Sequence, residues 1–558
     1  MAIETINVGS APNDGTGDSI RTAFGKVNAN FSEVDAKLPS SPLDEGAVGD
    51  GVADEAAELQ DAIDAAAAAG RVCDLGGRTY RVDSGLDLPS GITIQNGTID
   101  FSNAPASEKL FTATGTLLGN TSISGATRGS AGFTVTSATG IAENGFYFLR
   151  STDAFGSGGT YRGEWVRCKT IVGASFTPYG RLDDTYTTTP TLYRYTLTEN
   201  ITLRQLRLIG RGNSYAQYAG QFLYARNVHI YDVEAEFFGD RAFEFIRCLD
   251  CSVTSSQMGH GDHTSGLSYG VCVANGCARI TVGHSTFMDV RHAVTIGGED
   301  GVDRYVTVTG CAIADCTDSG LDSHPQSQYV SFIGNTIGAD GTTASQDGIV
   351  VQGANQTVVG NTVQGFERSG ILVQNLVTNA AITDNAVVVS GNVVTRPVGS
   401  GTVYGIAVEN QGTVDNYRFT LAGNTVDVVN VTTSYGISVE NLGNTITGGA
   451  ITGNTVYSRR EALTLKTATN KSMRSIAVSG NSLETVDTTT YDVISIQAGS
   501  TPNYLERVII TGNSLYGGRY GINNSQGTRI KPDGNMIQGF GTGATNGTFV
   551  GTNDNYSS

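Results

Sequence analysis

From about residue 199 the chain repeats one pattern of apolar and polar positions. A Gly-Asn step followed by a short apolar run, as in Ile333-Gly-Asn-Thr-Ile337, recurs eight times, with Asn335, Asn361, Asn392, Asn424, Asn454, Asn481, Asn513 and Asn535 standing 22 to 32 residues apart. A second motif interleaves with it: Gly348-Ile-Val-Val-Gln352, Gly370-Ile-Leu-Val-Gln374, Gly405-Ile-Ala-Val-Glu409 and Gly436-Ile-Ser-Val-Glu440. Two strand signals per period leave no room for a crossover helix. Such a period describes a coil of strands and turns stacked on the coil below, since one coil cannot bury its apolar face alone. The pattern predicts a parallel β-helix in which alternate strand residues point into the core and Asn stacks on Asn at the turn, about 4.8 Å apart.

The first two hundred residues read differently. Turn chemistry at Asn13-Asp14-Gly15 precedes an expected helix in which Ile20, Phe24, Val27, Phe31, Val34 and Leu38 alternate spacings of four and three. Under three heptads is too short to be stable alone, so this seam is expected to dock on something else. After Pro39-Ser-Ser-Pro42, an Ala-rich helix from Asp54 to about Ala69 ends at Gly70, and short alternating strands follow at 76–82 and 91–97. The predicted organisation is an attachment segment (1–38), a linker with capping helix and the start of the β-helix (39–100), a small β insertion (101–198), the β-helix with its groove (199–540) and a flexible tail (541–558).

Composition removes several function classes. A 558-residue chain of net charge −18 without a Lys/Arg run is a poor counterion for phosphate, so no nucleic-acid partner is expected. No stretch reaches the roughly 20 apolar residues of a membrane span, and Met1-Ala-Ile-Glu4 does not open a signal peptide, so neither membrane insertion nor signal-directed export is expected. The 73 glycines come with only 11 prolines and no G-X-Y period, which excludes collagen and Pro-rich disorder.

Two segments resemble known proteins. Residues 6–18 with the following Phe24 to Phe31 helix are similar to the virion-attachment segment of many tailed-phage tail proteins. Gly46-Ala-Val-Gly-Asp-Gly-Val52, the Ala-rich helix and Gly77-Arg-Thr-Tyr-Arg-Val82 resemble the start of pectate-lyase-like β-helix proteins, phage tailspikes among them. The resemblance implies an all-β, right-handed, single-stranded parallel β-helix that assembles as a homotrimer on a virion tail. It also implies that residues 1–38 bind a phage tail or baseplate protein, and that the partner is a bacterial surface polysaccharide, recognised and depolymerised during adsorption. Synthesis would be in the host cytoplasm and action at the bacterial surface. The superfamily holds lyases, hydrolases, epimerases and non-catalytic binders, so the fold alone does not choose the chemistry.

Candidate chemistry appears where the repeat is broken. All six histidines lie between 229 and 324. Aligning the coils on the second motif turns Phe243, Val271, Val294, Leu321 and Ile349 inward, and therefore Asp322 and His324 outward on one strand. Thr295 and Gly297 are expected beside them on one side, Val350 and Gln352 on the other, with Gly297-Gly298 leaving an open floor. His292, preceded by Arg291, begins the adjacent strand, and Asp318 stands just before the strand of Asp322. A carboxylate aimed at an imidazole is an acid/base arrangement. Asp322-x-His324 also resembles the Asp-x-His strand of β-helix alginate epimerases and lyases, where those residues serve proton transfer.

The expected catalytic set is His324, Asp322, His292, Asp318, Arg291 and Glu299, with substrate contacts from Thr295, Gly297, Gly298, His260, His263, Asp347 and Gln352. The competing reading of Asp322 and His324 is a solvated polar face, like Gln374 and Glu440. His284 is expected at the turn-ladder position of Asn335, and His229 within a strand. Cys248/Cys251, Cys272/Cys277 and Cys311/Cys316 fall on different edges, Cys311 at a ladder position, which favours buried reduced thiols over zinc. No metal or cofactor is expected; a cation in the acidic 299–303 loop is left as an open alternative, although the loop matches no standard calcium loop.

Two mechanisms fit this set. β-Elimination on a uronic acid needs a base for the C5 proton, a cation for the carboxylate and an acid for the leaving oxygen, which suits His324 or His292 with Arg291. Hydrolysis needs two carboxyl groups, drawn from Asp318, Asp322, Glu299, Asp300 and Asp347. The histidines tilt the reading toward a lyase. A non-catalytic receptor-binding spike, with Tyr215, Tyr218 and Tyr224 stacking on sugars, is the alternative.

Overall fold

The computed structural model describes residues 4–11, 14–35, 38–212, 214–261, 266–338, 346–399, 401–499, 505–550 and 555–557. Coils of parallel strands stack on one another from Asp50 to Ser557, and a typical coil has three strands where the sequence pattern suggested two. Ser331–Ile333 and Thr336–Gly338 belong to a 30-stranded sheet, Asp347–Val351 to a 15-stranded sheet. The Gly-Asn step is the bend between the first two strands: Gly334 adopts φ +64°, where a Cβ is disfavoured. Registers run coil to coil without slippage here, Ile337 on Val363 and Ile349 on Ile371. Phe332, Ile337, Ile349 and Val351 fill the core.

At the bend the asparagines form a buried ladder. Each amide oxygen accepts from both the backbone N–H and the side-chain nitrogen of the asparagine before it. Asn392 Oδ1 takes Asn361 N at 2.9 Å and Asn361 Nδ2 at 3.0 Å, while Asn392 Nδ2 donates to Val358 O and Asn424 Oδ1. The bend leaves backbone groups without strand partners, and the side chain of each asparagine satisfies them. A shorter second ladder, Asn375 to Asn410 to Asn441, runs beside the ends of the 15-stranded sheet. Its sequence signal is an Asn directly after Gln374, Glu409 and Glu440. Asn392→Ala orphans donors of Asn361 and the Val358 carbonyl, so we expect a loss of about 2–4 kcal/mol, read as a lower melting temperature.

The ends and the insertion have their own geometry. The helix Ala56–Ala69 covers the first coil with Leu59 and Ile63 fully buried, and Gly70 closes it at φ +63°. Six antiparallel strands between Thr116 and Thr196 close into a small barrel, narrower than the expected 101–198 because Lys109–Thr114 already belongs to the 15-stranded sheet. The described residues of the expected tail instead add a last coil: Gly543–Gly547 pairs with Tyr520–Asn524, and Asn555 Oδ1 extends the ladder by accepting from Asn535. The helix Ile20–Asp35 keeps its seam in water, with Ile20, Phe24 and Phe31 each more than 60% exposed. Among the described residues no helix is long and apolar enough to cross a membrane. All eight cysteines are free and buried.

Candidate active site

The outward face of the 15-stranded sheet is built in three lanes. The first is the residue just before each motif glycine, giving the in-register row Tyr269, His292, Ser319, Asp347, Ser369 and Tyr404. The position after each lane residue is Gly, or Ala after His292, because it faces a crowded interior: a Cβ on Gly348 would lie 2.2 Å from Val363 Cγ1 and 2.6 Å from Gly370 O. The second lane holds Thr295, Asp322, Val350 and Leu372. The third continues past the strand ends through His324, Gln352, Gln374 and Glu409, the first two held by His324 N to Ile296 O and Gln352 N to Ser323 O.

A groove crosses these lanes over Arg291, His292, Asp318, Asp322, His324 and Arg368 and continues to Tyr404 and Glu409. His324 Nε2 lies 3.0 Å from Asp322 Oδ2; the imidazole is half-exposed and the carboxylate buried beneath it. Burial works to lower the His324 pKa, but the Asp322 hydrogen bond and charge outweigh it and hold the imidazole above its ordinary value. Burial likewise pushes Asp322 up, and is outweighed by His324, His292 and Arg291, so the carboxylate stays ionised. The two therefore form an oriented imidazole–carboxylate pair open to the groove.

His292 is the opposite case. It is buried and stacked on Tyr269 at 5.5 Å, its Nδ1 donates to Ser319 O at 3.1 Å, and Nε2 lies 3.6 Å from Asp318 Oδ2. Burial lowers its pKa despite the nearby Asp322 and Asp318, which leaves a neutral ring. Arg291 joins the cluster by donating to Asp318 Oδ2 at 3.0 Å, to Tyr269 Oη at 2.7 Å and to Gly266 O at 2.8 Å. Asp347 is fully buried under Arg368, which donates to its two carboxylate oxygens from Nε and Nη2, one edge of the guanidinium. Arg368 keeps an exposed side chain, so Arg291 and Arg368 present two guanidinium groups on the lane-one side.

No curated protein matches the chain by sequence. Residues 269–448 match the model of the right handed beta helix region. The fold is a right-handed parallel β-helix. Similar solved structures include the tailspike protein gp49 of Pseudomonas phage LKA1, 16% identical with TM-score 0.66, covering 82% of this chain and 83% of that one. The Gp54 tailspike of Acinetobacter baumannii bacteriophage AP22, solved with A. baumannii capsular saccharide, is 13% identical with TM-score 0.61, covering 94% and 79%. The tailspike gp61 of Pseudomonas phage phi297 is 15% identical with TM-score 0.62, covering 82% of each chain.

The β-helix gathers His324, Asp322, His292, Asp318 and Arg291 into one groove and sets Gln352 and Asp347 beside them, but it scatters other candidates. Thr295 is buried beside Asp322. Gly297 and Gly298 leave no open floor: a Cβ on Gly297 would sit 2.5 Å from His324 Cβ, and one on Gly298 2.3 Å from Asn275 Oδ1. Their lack of side chains lets His324 and Asn275 pack close. Glu299 is exposed on the loop beneath the barrel, outside the groove, where its carbonyl accepts from Tyr161 N. Asp300 is held by Arg150 and Arg247. His260 lies on a turn outside the groove lining, bonded to Asp289 at 2.8 Å and stacked on Phe237. His263 lies outside the described residues.

His284 is one position off the expected ladder. Gly283 pairs with Thr309 and Thr309 with Ile333, so His284 aligns with the left-handed Gly334 and itself has φ +51°, while Ser285 takes the ladder place. Tyr224 stacks on Tyr195 of the barrel and Tyr215 lies under Arg211, both away from the groove. The polar and aromatic groove residues not anticipated at all are Tyr269, Ser319, Arg368, Ser369 and Tyr404; Leu372 joins them, and Gln374 and Glu409, expected as a solvated face, also line the groove. Of the polar and aromatic ones, all but Arg368 share one signal, the place before a motif Gly or Ala, and Arg368 precedes Ser369.

The barrel packs against the strand ends next to the groove without lining it. Ser157 N donates to Leu376 O, and a Cβ on Gly156 would strike Pro325 at 2.6 Å, so the turn Phe155–Thr160 lies against the residue that follows His324. Ser327 Oγ donates to His324 O at 2.6 Å and fixes the backbone there.

Proposed function

We propose that the protein is the tailspike of a tailed bacteriophage, which binds a bacterial surface polysaccharide in this groove and cleaves it. The observation that carries the reading is the half-exposed His324 oriented by the buried Asp322, with Arg291 and Arg368 on the same face. Among solved structures, the AP22 tailspike with its capsular saccharide supports the ligand class. The exposed apolar seam of Ile20–Asp35 supports attachment of residues 1–38 to a tail or baseplate protein in a homotrimeric virion component acting at the cell surface.

β-Elimination on a uronate is favoured over hydrolysis. His324 takes the C5 proton, Arg291 and Arg368 neutralise the sugar carboxylate, the C4–O bond breaks and a C4=C5 double bond forms, while an acid in the groove protonates the leaving oxygen. Tyr269, hydrogen-bonded to Arg291, is the candidate acid. The groove carboxylates suit hydrolysis less well: Asp322 is tied to His324, Asp318 to Arg291 and Asp347 to Arg368, while Glu409 accepts from Gln374 and Gln411 three coils away from Asp322. Tyr404, stacked on Tyr435 at 5.0 Å, offers a sugar platform three coils from Asp322, about 14 Å at about 4.8 Å per coil.

The test is incubation with a panel of purified capsular and exopolysaccharides, following reducing ends and unsaturated-uronate absorbance together. Both signals rise for a lyase. Reducing ends alone point to hydrolysis, and binding without either signal removes catalysis. A base must be neutral, and Asp322 holds the His324 pKa up, so the rate is expected to rise with pH through a limb above the ordinary histidine value of about 6.5. In Asp322→Asn that limb should move to lower pH.

A further inference from the structure

Away from the groove, a second cleft opens where the barrel meets the 30-stranded sheet. Its barrel wall presents Phe146, Trp165, Arg167, Tyr179 and Arg181; its β-helix wall presents Arg226, Asp250, Arg279 and Tyr305. It shares no lining residue with the groove. The β-helix wall follows from the register. Asp250, Arg279 and Tyr305 occupy one place in successive coils and take φ +57°, +58° and +58°, a backbone kink that stands each side chain outward. Tyr305 stacks on Tyr329 of the next coil at 5.1 Å, so the wall continues along the stack.

The charge here runs against the chain. The protein carries net −18, yet four arginines line this cleft against three carboxyl groups, of which Glu164 is buried among its own hydrogen-bond donors. Arg226 and Arg279 share Asp250, at 3.2 and 2.5 Å, and Arg226 also meets Glu199 at 3.4 Å. Asp183 is occupied by the Tyr305 hydroxyl at 3.0 Å. Arg167 and Arg181 have no carboxylate partner among the described residues: Arg167 donates to Asn144 and Arg181 to Gly129 O. Arg167 lies over the Tyr179 ring at 4.8 Å, and Arg226 over Phe146 at 4.4 Å. Tyr179 is about half exposed and Tyr305 nearly so. Guanidinium forks standing on aromatic faces match a ligand that has carboxylates along one edge and apolar C–H faces elsewhere.

We infer that this cleft is a second saccharide site, distinct from the groove, that binds a carboxylate-bearing oligosaccharide strand without cleaving it. Its long axis along the coil stack suits an extended chain. Its walls are pre-set because the barrel is clamped to the β-helix by Arg304, which donates to Gly163 O at 2.6 Å and meets Asp184 at 3.3 Å. A second site would hold a long acidic polysaccharide on the protein while the groove releases its products. The site goes beyond the proposed cleavage and stands or falls separately from it.

The test uses the full chain in a His324→Ala background, so that turnover does not consume the probe. Oligogalacturonate and oligomannuronate hexasaccharides, with neutral maltohexaose as control, are titrated by calorimetry and by saturation-transfer NMR. Either acidic probe is expected to bind and maltohexaose not. Arg167→Ala/Arg181→Ala should weaken the acidic probe at least about tenfold, as should about 0.5 M salt. Tyr179→Ala, which keeps the charges, should weaken it too, whereas Tyr404→Ala should weaken only a separate binding event in the groove and leave the cleft-bound probe in place. These arginines are exposed, so an unchanged melting temperature checks the fold. The inference is overturned by equal binding of maltohexaose, by no binding of either acidic probe, by unchanged affinity in the double variant, or by a loss that follows Tyr404 instead. Absence of cleavage by the wild type would count against the groove reading alone.

Discussion

Replacing His324 with alanine is expected to reduce polysaccharide cleavage about 10²–10⁴-fold while the protein stays folded. The side chain is half-exposed and its one hydrogen bond is to Asp322, so little packing is lost. Removing it leaves the buried Asp322 facing only the charge of Arg291 and the neutral His292 ring, and for that reason His324→Gln is the sharper variant. Glutamine retains a donor for Asp322 but cannot take a proton, so the same loss of rate is expected without destabilisation. Reducing-end release and thermal melting on the same preparations read the two effects apart. Full activity in a folded His324→Gln protein would remove His324 from the chemistry. His292→Gln provides the contrast: a buried ring with a lowered pKa is a positioning residue, so its loss should move KM and stability as well as kcat.

The largest stability effect is expected at Arg304. Its buried guanidinium donates to Gln328 and Gly163 and lies against Asp184, which is itself fully buried and also held by Asn379 at 2.8 Å. Close by, buried Glu164 accepts from Asp183 N, Asp184 N and the Tyr186 hydroxyl. Arg304→Met removes one partner of a buried ionic cluster and should cost about 3–5 kcal/mol. The pH dependence carries a signature. Burial pushes Glu164 up to about 7 even with Arg304 present, so its folded pKa exceeds its unfolded one. A group raised in this way contributes stability fully present below its unfolded pKa and lost as pH rises through about 7. Without Arg304 the folded pKa of Glu164 and of Asp184 rises further, so the deficit of the variant should grow from pH 5 to pH 8, as read by melting temperature. A pH-independent deficit would mean that Arg304 acts through packing alone.

The repeat, the inward positions and the Asp322–His324 pair were legible because they are local. A strand alternates sides every residue, and a coil repeats its register, so Phe243, Val271, Val294, Leu321 and Ile349 had to line up once one motif was aligned. The same logic placed Thr295 and Val350 beside Asp322. It failed wherever position depends on loops. Glu299 follows Gly298 closely in sequence, yet the barrel draws that loop out of the groove through Tyr161. His284 stands one place off because the bend tolerates a left-handed non-glycine there, as at Ser255 in the preceding coil, where the following coils carry Gly310 and Gly334.

The sequence by itself determined the parallel coil, the asparagine ladder, the capping helix and the clustering of titratable residues near one strand, since each follows from short-range periodicity. Tertiary structure alone decided which of those residues share a surface. The lane of Tyr269, His292, Asp347 and Tyr404 is assembled from different coils, and the Arg304 clamp joins the barrel to residues more than a hundred positions away. The physical reason is that a repeat fixes the rise and register of each coil, whereas the path of an inserted barrel and of the loops under it is set by long-range packing and buried charge pairs.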